Sequence, residues 1–379
     1  MRIERLGDMT QLSFVFVDHT AATGGAELGL ERFLLRTKLP ARLVLFEHGP
    51  LEYRLRAKRY SEIDVLQRVD DSRPSLIRQF WRLRSAMRAA PDDVYVSNSM
   101  RAALMVSLAR PGKSRHLYYL QDGLDAASLG LVKRLLMRYV VLPRVTGLLV
   151  NSRWTLSTVP ARWRRLPARV VYSLSGTDGL VGGVSTRTET PTNGPLRIAS
   201  LSRIVHWKGI DVVVAAVRRL CDEGLADRIE LTIAGAPIFG DDGYYQQISE
   251  AVGSLSCAVH MLGQVEDISS VLNSADVLVH ASRHPEPFGQ VIVQGLAAGL
   301  IVLATRHGGP AEIIQDGVDG FLYDAEQDSQ LATLLHRALD GTIDPDSMSS
   351  AAKERARDFS DTNLTKLMEI ALVELARGE

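Results

Sequence analysis

The sequence predicts an α/β fold with two doubly wound, Rossmann-like domains that face a central cleft. Short runs rich in β-branched residues alternate with amphipathic helical patterns, which is typical of parallel sheets covered by helices on both faces. A stretch rich in Gly, Ser, Thr and Pro, residues 176–195, separates two such series. The length of 379 residues also exceeds what one ordinary hydrophobic core accommodates. Ligands of such sheets bind at the carboxyl ends of the strands, so two facing sheets would offer two sub-sites.

The N-terminal domain is predicted to span residues 1–175. Its first strand, residues 13–18, is followed by an amphipathic helix over residues 24–38. A second, strongly basic helix is predicted over residues 73–90. The other strands of this domain are predicted at residues 41–47, 93–99, 115–122, 147–152 and 168–174.

The C-terminal domain is predicted to span residues 196–360, after a linker over residues 176–195. A helix over residues 209–224 ends at a glycine. The last predicted helix, residues 361–379, is free to cross back to the N-terminal domain. The strands of this domain are predicted at residues 196–202, 229–235, 258–263, 276–282 and 301–305.

The composition is that of a globular protein, with 46% hydrophobic and 23% charged residues. The two cysteines, Cys221 and Cys257, are too few for a disulfide framework, so we expect a reducing, cytoplasmic environment. The N-terminus lacks the pattern of a signal peptide. No apolar run approaches the ~18 residues that a membrane span requires, so we expect no spanning helix.

The charge is distributed unevenly along the chain. Residues 1–190 contain 30 Lys and Arg against 17 Asp and Glu, whereas residues 191–379 contain 14 against 27. The first half is therefore expected to face something anionic, such as a membrane surface, an acidic acceptor or nucleic acid. The alternative is that the two halves attract each other. Nucleic acid is disfavoured as a partner because aromatic residues are not interleaved with the cations.

Two basic segments of the first half favour a membrane surface. The helix predicted over residues 73–90 carries several arginines around Trp81, and residues 132–144 add four more cations. We therefore expect peripheral association with the inner face of an anionic membrane. The alternative for the helix over residues 73–90 is packing on the sheet with a solvated arginine face.

Several common motifs are absent from the sequence. It contains no G-x-G-x-x-G turn, no G-x-x-x-x-G-K-[ST] loop and no G-x-S-x-G elbow, and its His and Cys residues are not clustered at zinc spacing. This disfavours the usual dinucleotide-binding, nucleoside-triphosphatase and zinc enzymes. We expect neither a cofactor nor a bound metal.

Two segments of the second half are candidates for an anion site. Arg203 and Lys208 lie between a predicted strand and a helix, where they could clamp a diphosphate. Glu286 lies between two prolines that stiffen its loop, and a helix predicted to begin at Gly289 offers N–H groups and a positive dipole end. Gln294, further along that helix, could bond ribose hydroxyls. For each segment by itself, an ordinary solvated loop is the alternative.

The segment RHPEPFGQVIVQGLAAGLIVLATRHGGPAEIIQDGVDGFLY, residues 283–323, resembles the donor-site region of the retaining, GT-B-fold glycosyltransferases of family 4. SRIVHWKG, residues 202–209, resembles the phosphate clamp of that family, and GGAE, residues 24–27, resembles its first-domain Gly-Gly loop. Beyond the Glu and Phe-Gly elements, the family pattern fits Gly308, Gly309, Glu312, Ile313, Asp316, Gly317 and Gly320.

This resemblance implies roles for individual residues. Arg203 and Lys208 would bind the donor diphosphate and Glu286 would contact the transferred sugar, which makes these three the catalytic candidates. Val265 would lie in the turn that holds the base through its backbone. The remaining donor-site residues would be Gly24, Gly25, Gly235, Phe288, Gly289, Gln290 and Gln294.

The sequence departs from the family pattern at three places. Gln294 replaces the second Glu, so a charge-assisted ribose bond becomes a neutral and weaker one. Leu300 replaces a proline, which is a minor change. Gln121 and Asp122 lie where many members have a His beside the reacting sugar, so we assign these two residues to the acceptor side without naming a general base.

The resemblance implies a retaining glycosyltransferase that moves a sugar from a nucleotide-diphospho-sugar donor to a hydroxyl acceptor. The acceptor would be a carbohydrate, a lipid-linked compound or a small molecule, in polysaccharide, glycolipid or other glycoconjugate biosynthesis. Two alternatives are a nucleotide-sugar epimerase on the same fold and a non-catalytic, decayed transferase that acts as a binding module.

Overall fold

The computed structural model describes residues 12–67, 75–112, 114–126, 128–181, 194–237 and 242–378. The chain forms two compact units. Unit 1 comprises Met1–Ser175 together with Asp361–Glu379, and unit 2 comprises Gly176–Ser360. Each unit is a parallel sheet with helices between consecutive strands, as the alternating sequence pattern predicts.

The sheet of unit 1 contains seven strands within the described residues, and all of its strand pairs are parallel. The strands are β1 (Phe14–Asp18), β2 (Ala41–Leu45), β3 (Ile63–Val65), β4 (Val94–Ser97), β5 (Arg115–Leu120), β6 (Gly147–Val150) and β7 (Ala168–Val170). Their order is β3-β2-β1-β4-β5-β6-β7, so the strand order reverses between β1 and β4. Ligands of doubly wound sheets bind beside such a switch point.

The helices of unit 1 cover the sheet between these strands. They are α1 (Gly25–Leu34), α2 (Pro50–Ala57), α3 (Leu76–Ala89), α4 (Met100–Ala109), α5 (Leu131–Leu136) and α6 (Arg153–Ser157). A π-helical turn, Met137–Val141, extends α5. Strand β1 is buried along its whole length because helices cover both faces of the sheet, which explains its continuous apolar run.

The sheet of unit 2 contains six strands within the described part of the chain, again with parallel pairs. The strands are β8 (Leu196–Leu201), β9 (Ile229–Ala234), β10 (Ala258–Gly263), β11 (Val277–His280), β12 (Ile301–Thr305) and β13 (Phe321–Tyr323). Their order is β10-β9-β8-β11-β12-β13, so the switch point lies between β8 and β11.

The helices of unit 2 begin with a short one in the segment that the sequence predicts to be a linker. They are α7 (Asp178–Val181), α8 (Ile210–Asp222), α9 (Asp242–Gly253), α10 (Ile268–Asn273), α11 (Gln290–Ala297), α12 (Pro310–Ile313), α13 (Asp328–Leu339) and α14 (Pro345–Arg357). Residues 182–193 of the predicted linker lie outside the described residues.

The last helix, α15 (Asp361–Arg377), belongs to unit 1. The buried carboxylate of Asp361 accepts a hydrogen bond from the Ser175 amide at 3.0 Å. Glu369, which is 9% exposed, accepts hydrogen bonds from the Thr37 hydroxyl at 2.8 Å and from the Lys38 amide at 2.6 Å. The two hydrogen bonds to Glu369 tie α15 to the segment that follows α1.

The predicted fold class of two doubly wound, Rossmann-like domains is confirmed. Sequence analysis missed β3 and β13, each of which is an edge strand of only three residues. Runs this short carry no measurable alternation, and only pairing with a longer neighbour defines them. Several predicted strands also extend past the last paired residue into the loop that follows, where many of the added residues are polar, such as Asn98, Gln121 and Asn151.

We predict that Glu369→Ala destabilises the protein by roughly 1.5–3 kcal/mol, since a buried carboxylate that accepts two hydrogen bonds is lost. The matched control is Glu374→Ala on the same helix. The Glu374 and Arg169 side chains form an ion pair at 2.8 Å but are 35% and 37% exposed. This control should cost less than about 1 kcal/mol. Urea unfolding measures the free energy of unfolding of both variants. Equal decreases in the two variants would contradict the conclusion that Glu369 anchors α15.

Candidate active site

The candidate site of unit 2 lies at the carboxyl edge of its sheet, where β8 and β11 end. Gly209 has a φ of 66°, and a Cβ atom placed there would lie 2.2 Å from the Ala281 carbonyl oxygen. Only glycine allows this close approach. Gly209 therefore brings the loop after β8, including Lys208, against the loop after β11.

Glu286 is the centre of a compact polar cluster. Its Oε2 atom lies 2.5 Å from Lys208 Nζ, 3.2 Å from His280 Nε2 and 3.2 Å from Ser282 Oγ. The Ser282 hydroxyl also lies 3.1 Å from His280 Nε2. Lys208, Glu286 and His280 are 12%, 16% and 3% exposed. Three side chains therefore converge on one carboxylate oxygen that solvent barely reaches.

The cluster holds Glu286 ionised. Burial by itself raises the pKa of the carboxyl, but the charge of Lys208 and the hydrogen bond from His280 outweigh it. The result is a pKa far below the ordinary value of 4.5. Because an ionised carboxylate only accepts hydrogen bonds, Glu286 can accept them from hydroxyl groups of a ligand.

The Gly308–Gly309 pair fixes the backbone of the Glu286 loop. The Gly309 amide donates to the Glu286 carbonyl at 2.7 Å, and the Glu286 amide donates to the His307 carbonyl at 3.2 Å. A Cβ atom at Gly308 would lie 2.2 Å from the Glu286 carbonyl oxygen, and one at Gly309 would lie 2.3 Å from the Phe288 carbonyl oxygen. The two glycines therefore allow one backbone to lie directly on another.

Helix α11 begins immediately after this loop. Gly289, its N-cap, has a φ of 104°, which other residues rarely adopt. The Phe288 side chain is buried, and its ring centroid lies 6.1 Å from that of Phe359. This packing of Phe288 anchors the loop. The positive dipole end of α11 lies beside Glu286 and Lys208, so this edge favours an anion.

Arg203 and Lys208 share one aromatic neighbour. The Arg203 guanidinium carbon lies 5.4 Å and Lys208 Nζ lies 4.2 Å from the ring centroid of Trp207. Arg203 is exposed and makes no ion pair with any residue that the structure describes. The structure therefore brings the two cations of the predicted clamp to the Glu286 turn, where Lys208 is ion-paired and Arg203 faces solvent.

A second ion pair braces the same two loops. Arg283 donates to both carboxylate oxygens of Asp211, at 2.8 and 2.5 Å, and to the His206 carbonyl at 2.7 Å. The Tyr244 hydroxyl donates to Asp211 at 2.6 Å. The Asp211 carboxylate raises the pKa of Arg283 further above its ordinary value. This brace joins the start of α8 to the loop after β11.

The other donor-site candidates of unit 2 lie at the same edge or on α11. Gly235 has a φ of 149°, and its amide donates to the Gly263 carbonyl at 2.7 Å. Val265 is half-buried in the turn that leads to α10. Gln290 begins α11 and Gln294 lies within it, where its side chain is 6% exposed.

Sequence analysis missed four residues that the structure places in this site: His280, Ser282, Arg283 and Asp211. His280 ends a buried strand, and a polar residue at the carboxyl end of a central strand would have been a usable indication. The partnership of Arg283 with Asp211 spans 72 positions along the chain, so no local pattern predicts it.

The candidate residues of unit 1 lie at the carboxyl edge of the other sheet. Gly24 is the N-cap of α1 and accepts a hydrogen bond from the Leu28 amide at 2.9 Å, and Gly25 begins the helix. Gln121 follows β5 and donates to the Asn98 side chain at 2.8 Å. Asp122 is exposed beside it.

Two further properties concern the described residues as a whole. They contain no group of three or more His, Cys, Asp and Glu side chains arranged to hold a metal ion. None of their helices is long and apolar enough to cross a bilayer.

Comparison with known proteins adds the following similarities. The family model described as Glycosyl transferases group 1 matches residues 186–355. The lipopolysaccharide core biosynthesis glycosyltransferase LpsE of Rhizobium meliloti is 28% identical over 196 residues, which cover 52% of this chain and 53% of that protein. The amylovoran biosynthesis glycosyltransferase AmsK of Erwinia amylovora is 31% identical over 157 residues, with 40% and 37% covered. The chain thus spans about half the length of these curated relatives or less.

Solved structures match the whole chain. A crystal structure of Anabaena HepE in complex with UDP and glucose has a TM-score of 0.80 and 21% identity, and covers 96% of this chain and 100% of that chain. The apo form of the lipopolysaccharide outer core galactosyltransferase WaaB has a TM-score of 0.68 and 14% identity, with 96% and 99% covered. These likenesses show that the chain has the GT-B fold of glycosyltransferases. The matched family model describes glycosyltransferases, and both curated relatives are glycosyltransferases.

We predict that Glu286→Gln destabilises the protein at pH 7 by roughly 2–3 kcal/mol, because Lys208 loses a charged, hydrogen-bonded partner. The folded-state pKa of Glu286 lies below its ordinary value of 4.5. The carboxylate therefore stabilises the fold above about pH 4.5, and this contribution is lost as the pH falls toward the folded-state pKa. Urea unfolding between pH 7 and pH 3 should show the difference between wild type and variant shrinking below pH 4.5.

The control for this measurement is Glu354→Gln, which removes a carboxylate that is 70% exposed. It should change the free energy of unfolding by less than about 0.5 kcal/mol at every pH. A wild-type advantage over Glu286→Gln that stays constant down to pH 3 would show that the ionised carboxylate is not the stabilising group.

Proposed function

We propose that this protein is a retaining glycosyltransferase of family 4 that moves a sugar from a nucleotide-diphospho-sugar to a hydroxyl acceptor. The observation that carries the proposal is the Lys208–Glu286 ion pair at the start of α11, with Arg203 on the same Trp207 ring. Cations, a helix start and one ionised carboxylate meet at the carboxyl edge of a doubly wound sheet. This combination suits a ligand with both a diphosphate and a sugar.

The residues divide naturally between the two parts of such a donor. Arg203, Lys208 and the first turn of α11 would stabilise the negative charge that develops on the leaving diphosphate. Glu286 would accept hydrogen bonds from sugar hydroxyls and orient the anomeric carbon. The leaving phosphate would take the proton of the acceptor on the same face of the sugar, so retention requires no separate base. We expect the reaction to need no metal, since these cations neutralise the diphosphate.

The comparisons support the kinds of substrate. HepE has been crystallised with UDP and with UDP-glucose, which favours a nucleotide-diphospho-sugar as the donor here as well. LpsE and AmsK are named for lipopolysaccharide core and amylovoran biosynthesis, which favours a carbohydrate or lipid-linked acceptor in cell-envelope or polysaccharide synthesis. The nucleotide base and the sugar are left to experiment.

The two alternatives predict different products. A nucleotide-sugar epimerase would convert the donor in the absence of any acceptor, and a decayed transferase would bind the donor without turnover. The presence of Arg203, Lys208 and Glu286, two of which form a direct ion pair, favours an intact catalytic site over a decayed one.

We predict that Lys208→Ala lowers the rate of sugar transfer by about 100-fold or more, as expected when one oriented charge donor is removed from a developing anion. A thermal-shift panel of UDP-, GDP-, ADP- and TDP-sugars first selects the donor, because a ligand that binds the native state raises the melting temperature. Transfer of a labelled sugar is then measured, and the anomeric configuration of the product is read by proton NMR.

The matched control is Lys366→Ala, an exposed lysine on α15. It should leave the rate unchanged within about two-fold, as a surface substitution does. A near-normal rate of transfer by Lys208→Ala would refute the proposal that Lys208 stabilises the diphosphate. An inverted anomeric configuration would reject retention, and an epimer formed from the donor alone would favour the epimerase.

We further propose that unit 1 binds the inner surface of an anionic membrane through α3 and α5. On α3, Leu76, Ile77 and Trp81 are 57%, 74% and 58% exposed, whereas Leu83 and Met87 on the same helix are buried. The exposed apolar side chains thus lie near the start of the helix. The arginines of α3 are Arg78, Arg82, Arg84 and Arg88.

Helix α5 shows the same combination. Leu131 and Val132 are 61% and 70% exposed, and the cations Lys133 and Arg134 follow directly. Both helices follow a strand of the parallel sheet, so both begin at its carboxyl edge. Exposed apolar side chains flanked by cations match the chemistry of an anionic lipid surface.

We predict that the protein co-sediments with vesicles that contain phosphatidylserine, and that binding weakens as salt rises because the cations are screened. Replacing Ile77 and Trp81 by Ser should reduce binding about ten-fold or more, since both insert apolar area into the interface. Leu367→Ser on α15 is the control, because Leu367 is 51% exposed outside this surface. Absence of salt-sensitive binding to anionic vesicles would refute membrane association.

A further inference from the structure

A second polar cluster lies at the switch point of the unit 1 sheet, and it contains a histidine that the sequence analysis did not single out. Asp18 ends β1 and is fully buried. His19 follows it, and its Nδ1 atom lies 3.2 Å from Asp18 Oδ1 and 2.7 Å from Ser99 Oγ. Ser99 is the N-cap of α4 and follows β4. The strand order reverses between these two strands.

The cluster orients the ring of His19. A carboxylate oxygen only accepts hydrogen bonds, so the contact with Asp18 favours the neutral tautomer in which Nδ1 carries the proton. In that tautomer Nδ1–H points to Asp18 and Ser99, and Nε2 is the hydrogen-bond acceptor. The His19 side chain is 28% exposed. Its Nε2 atom makes no hydrogen bond with any residue in the described part of the chain.

Asp18 is in turn held by residues that follow the neighbouring strands. The Asn98 side chain donates to Asp18 Oδ2 at 2.6 Å, and the Gln121 side chain donates to Asn98 Oδ1 at 2.8 Å. The Asn151 side chain donates to the Gln121 carbonyl at 3.1 Å. The ends of β1, β4, β5 and β6 are therefore linked by one chain of hydrogen bonds that leads to His19.

Glu27 is a second acidic residue that interacts electrostatically with His19. It lies in the first turn of α1, and a Cβ atom at Gly24 would lie 2.5 Å from its carboxylate. Burial, followed by the charge of Asp18, raises the pKa of Glu27, whereas the Gly24 amide and His19 lower it. The GGAE segment thus places a carboxyl group over the start of α1, beside His19.

We propose that His19 Nε2 is the acceptor-positioning group of this enzyme and accepts a hydrogen bond from the hydroxyl that receives the sugar. The inference rests on the proposed glycosyltransferase function. The His19 side chain is partly exposed and turns Nδ1 toward a buried carboxylate, so Nε2 suits a neutral hydroxyl group and not an anion. Gln121 lies where many family 4 members have a His. Here its side chain donates a hydrogen bond to Asn98, which in turn donates to Asp18, so we assign the acceptor contact to His19.

The test compares two substitutions of His19. In His19→Asn the side-chain amide replaces Nδ1 and keeps the contacts with Asp18 and Ser99, but nothing replaces Nε2. In His19→Gln the amide reaches the position of Nε2. Release of nucleotide diphosphate from the selected donor is measured with water, glycerol and n-octyl glucoside as hydroxyl probes.

We expect His19→Asn to slow turnover with every active probe by about ten-fold or more and to raise the KM of the hydroxyl probes, since the hydrogen bond that positions the acceptor hydroxyl is lost. His19→Gln should restore part of this loss. The donor-induced thermal shift and the melting temperature should be unchanged in both. The control is His336→Gln, an exposed histidine of unit 2 whose Nδ1 lies 3.3 Å from Asp340.

Each other outcome is decisive. Normal turnover by His19→Asn, or a loss that Gln does not relieve at all, overturns the role of Nε2. A lowered melting temperature in His19→Asn would assign the histidine to stability instead. A wild-type protein that binds donor but releases no nucleotide with any probe overturns the acceptor site while leaving donor binding intact. Absence of any donor-induced shift in the wild type means that the proposed function itself fails.

Discussion

The Lys208–Glu286 ion pair is the interaction on which the rest of unit 2 depends. The two residues are 78 positions apart and become neighbours only because three glycines allow backbones to lie directly on one another. Gly209 brings the loop after β8 onto the loop after β11, and Gly308 and Gly309 support that loop from the other side. A side chain at any of these glycines would push the cation and the carboxylate apart.

The electrostatics of the site follow from this pair. Glu286 neutralises Lys208, which lowers the cost of keeping this largely buried cation there. Arg203 lies by the same aromatic ring and is exposed to solvent. The carboxylate remains charged because Lys208 and His280 outweigh the effect of burial. One small region therefore combines positive charge with an ionised hydrogen-bond acceptor.

The two units share an architecture but differ in the chemistry at their carboxyl edges. In unit 2 the switch point carries Lys208 and the brace of Arg283 with Asp211. In unit 1 it carries Asp18, which accepts a hydrogen bond from Asn98 at 2.6 Å, and His19, whose Nδ1 lies 2.7 Å from Ser99 Oγ. A sheet topology that is nearly the same thus presents a cation paired with a carboxylate in one unit and a histidine beside a buried carboxylate in the other. The fold positions the groups, and the residues at the strand ends decide what they bind.

The sequence by itself determined the fold class and most strand positions, because periodic apolar patterns and turn residues act over a few positions. It also singled out Lys208 and Glu286 as candidates, which the structure brings into contact. It did not reveal the edge strands β3 and β13, which exist only through pairing with longer neighbours. It also did not reveal that Lys208 pairs with Glu286, that Arg283 joins Asp211, or that His19 contacts Ser99. Those contacts join residues from different loops. Only the packing of the sheet decides which loops meet, since local chain preferences carry no information about distant neighbours.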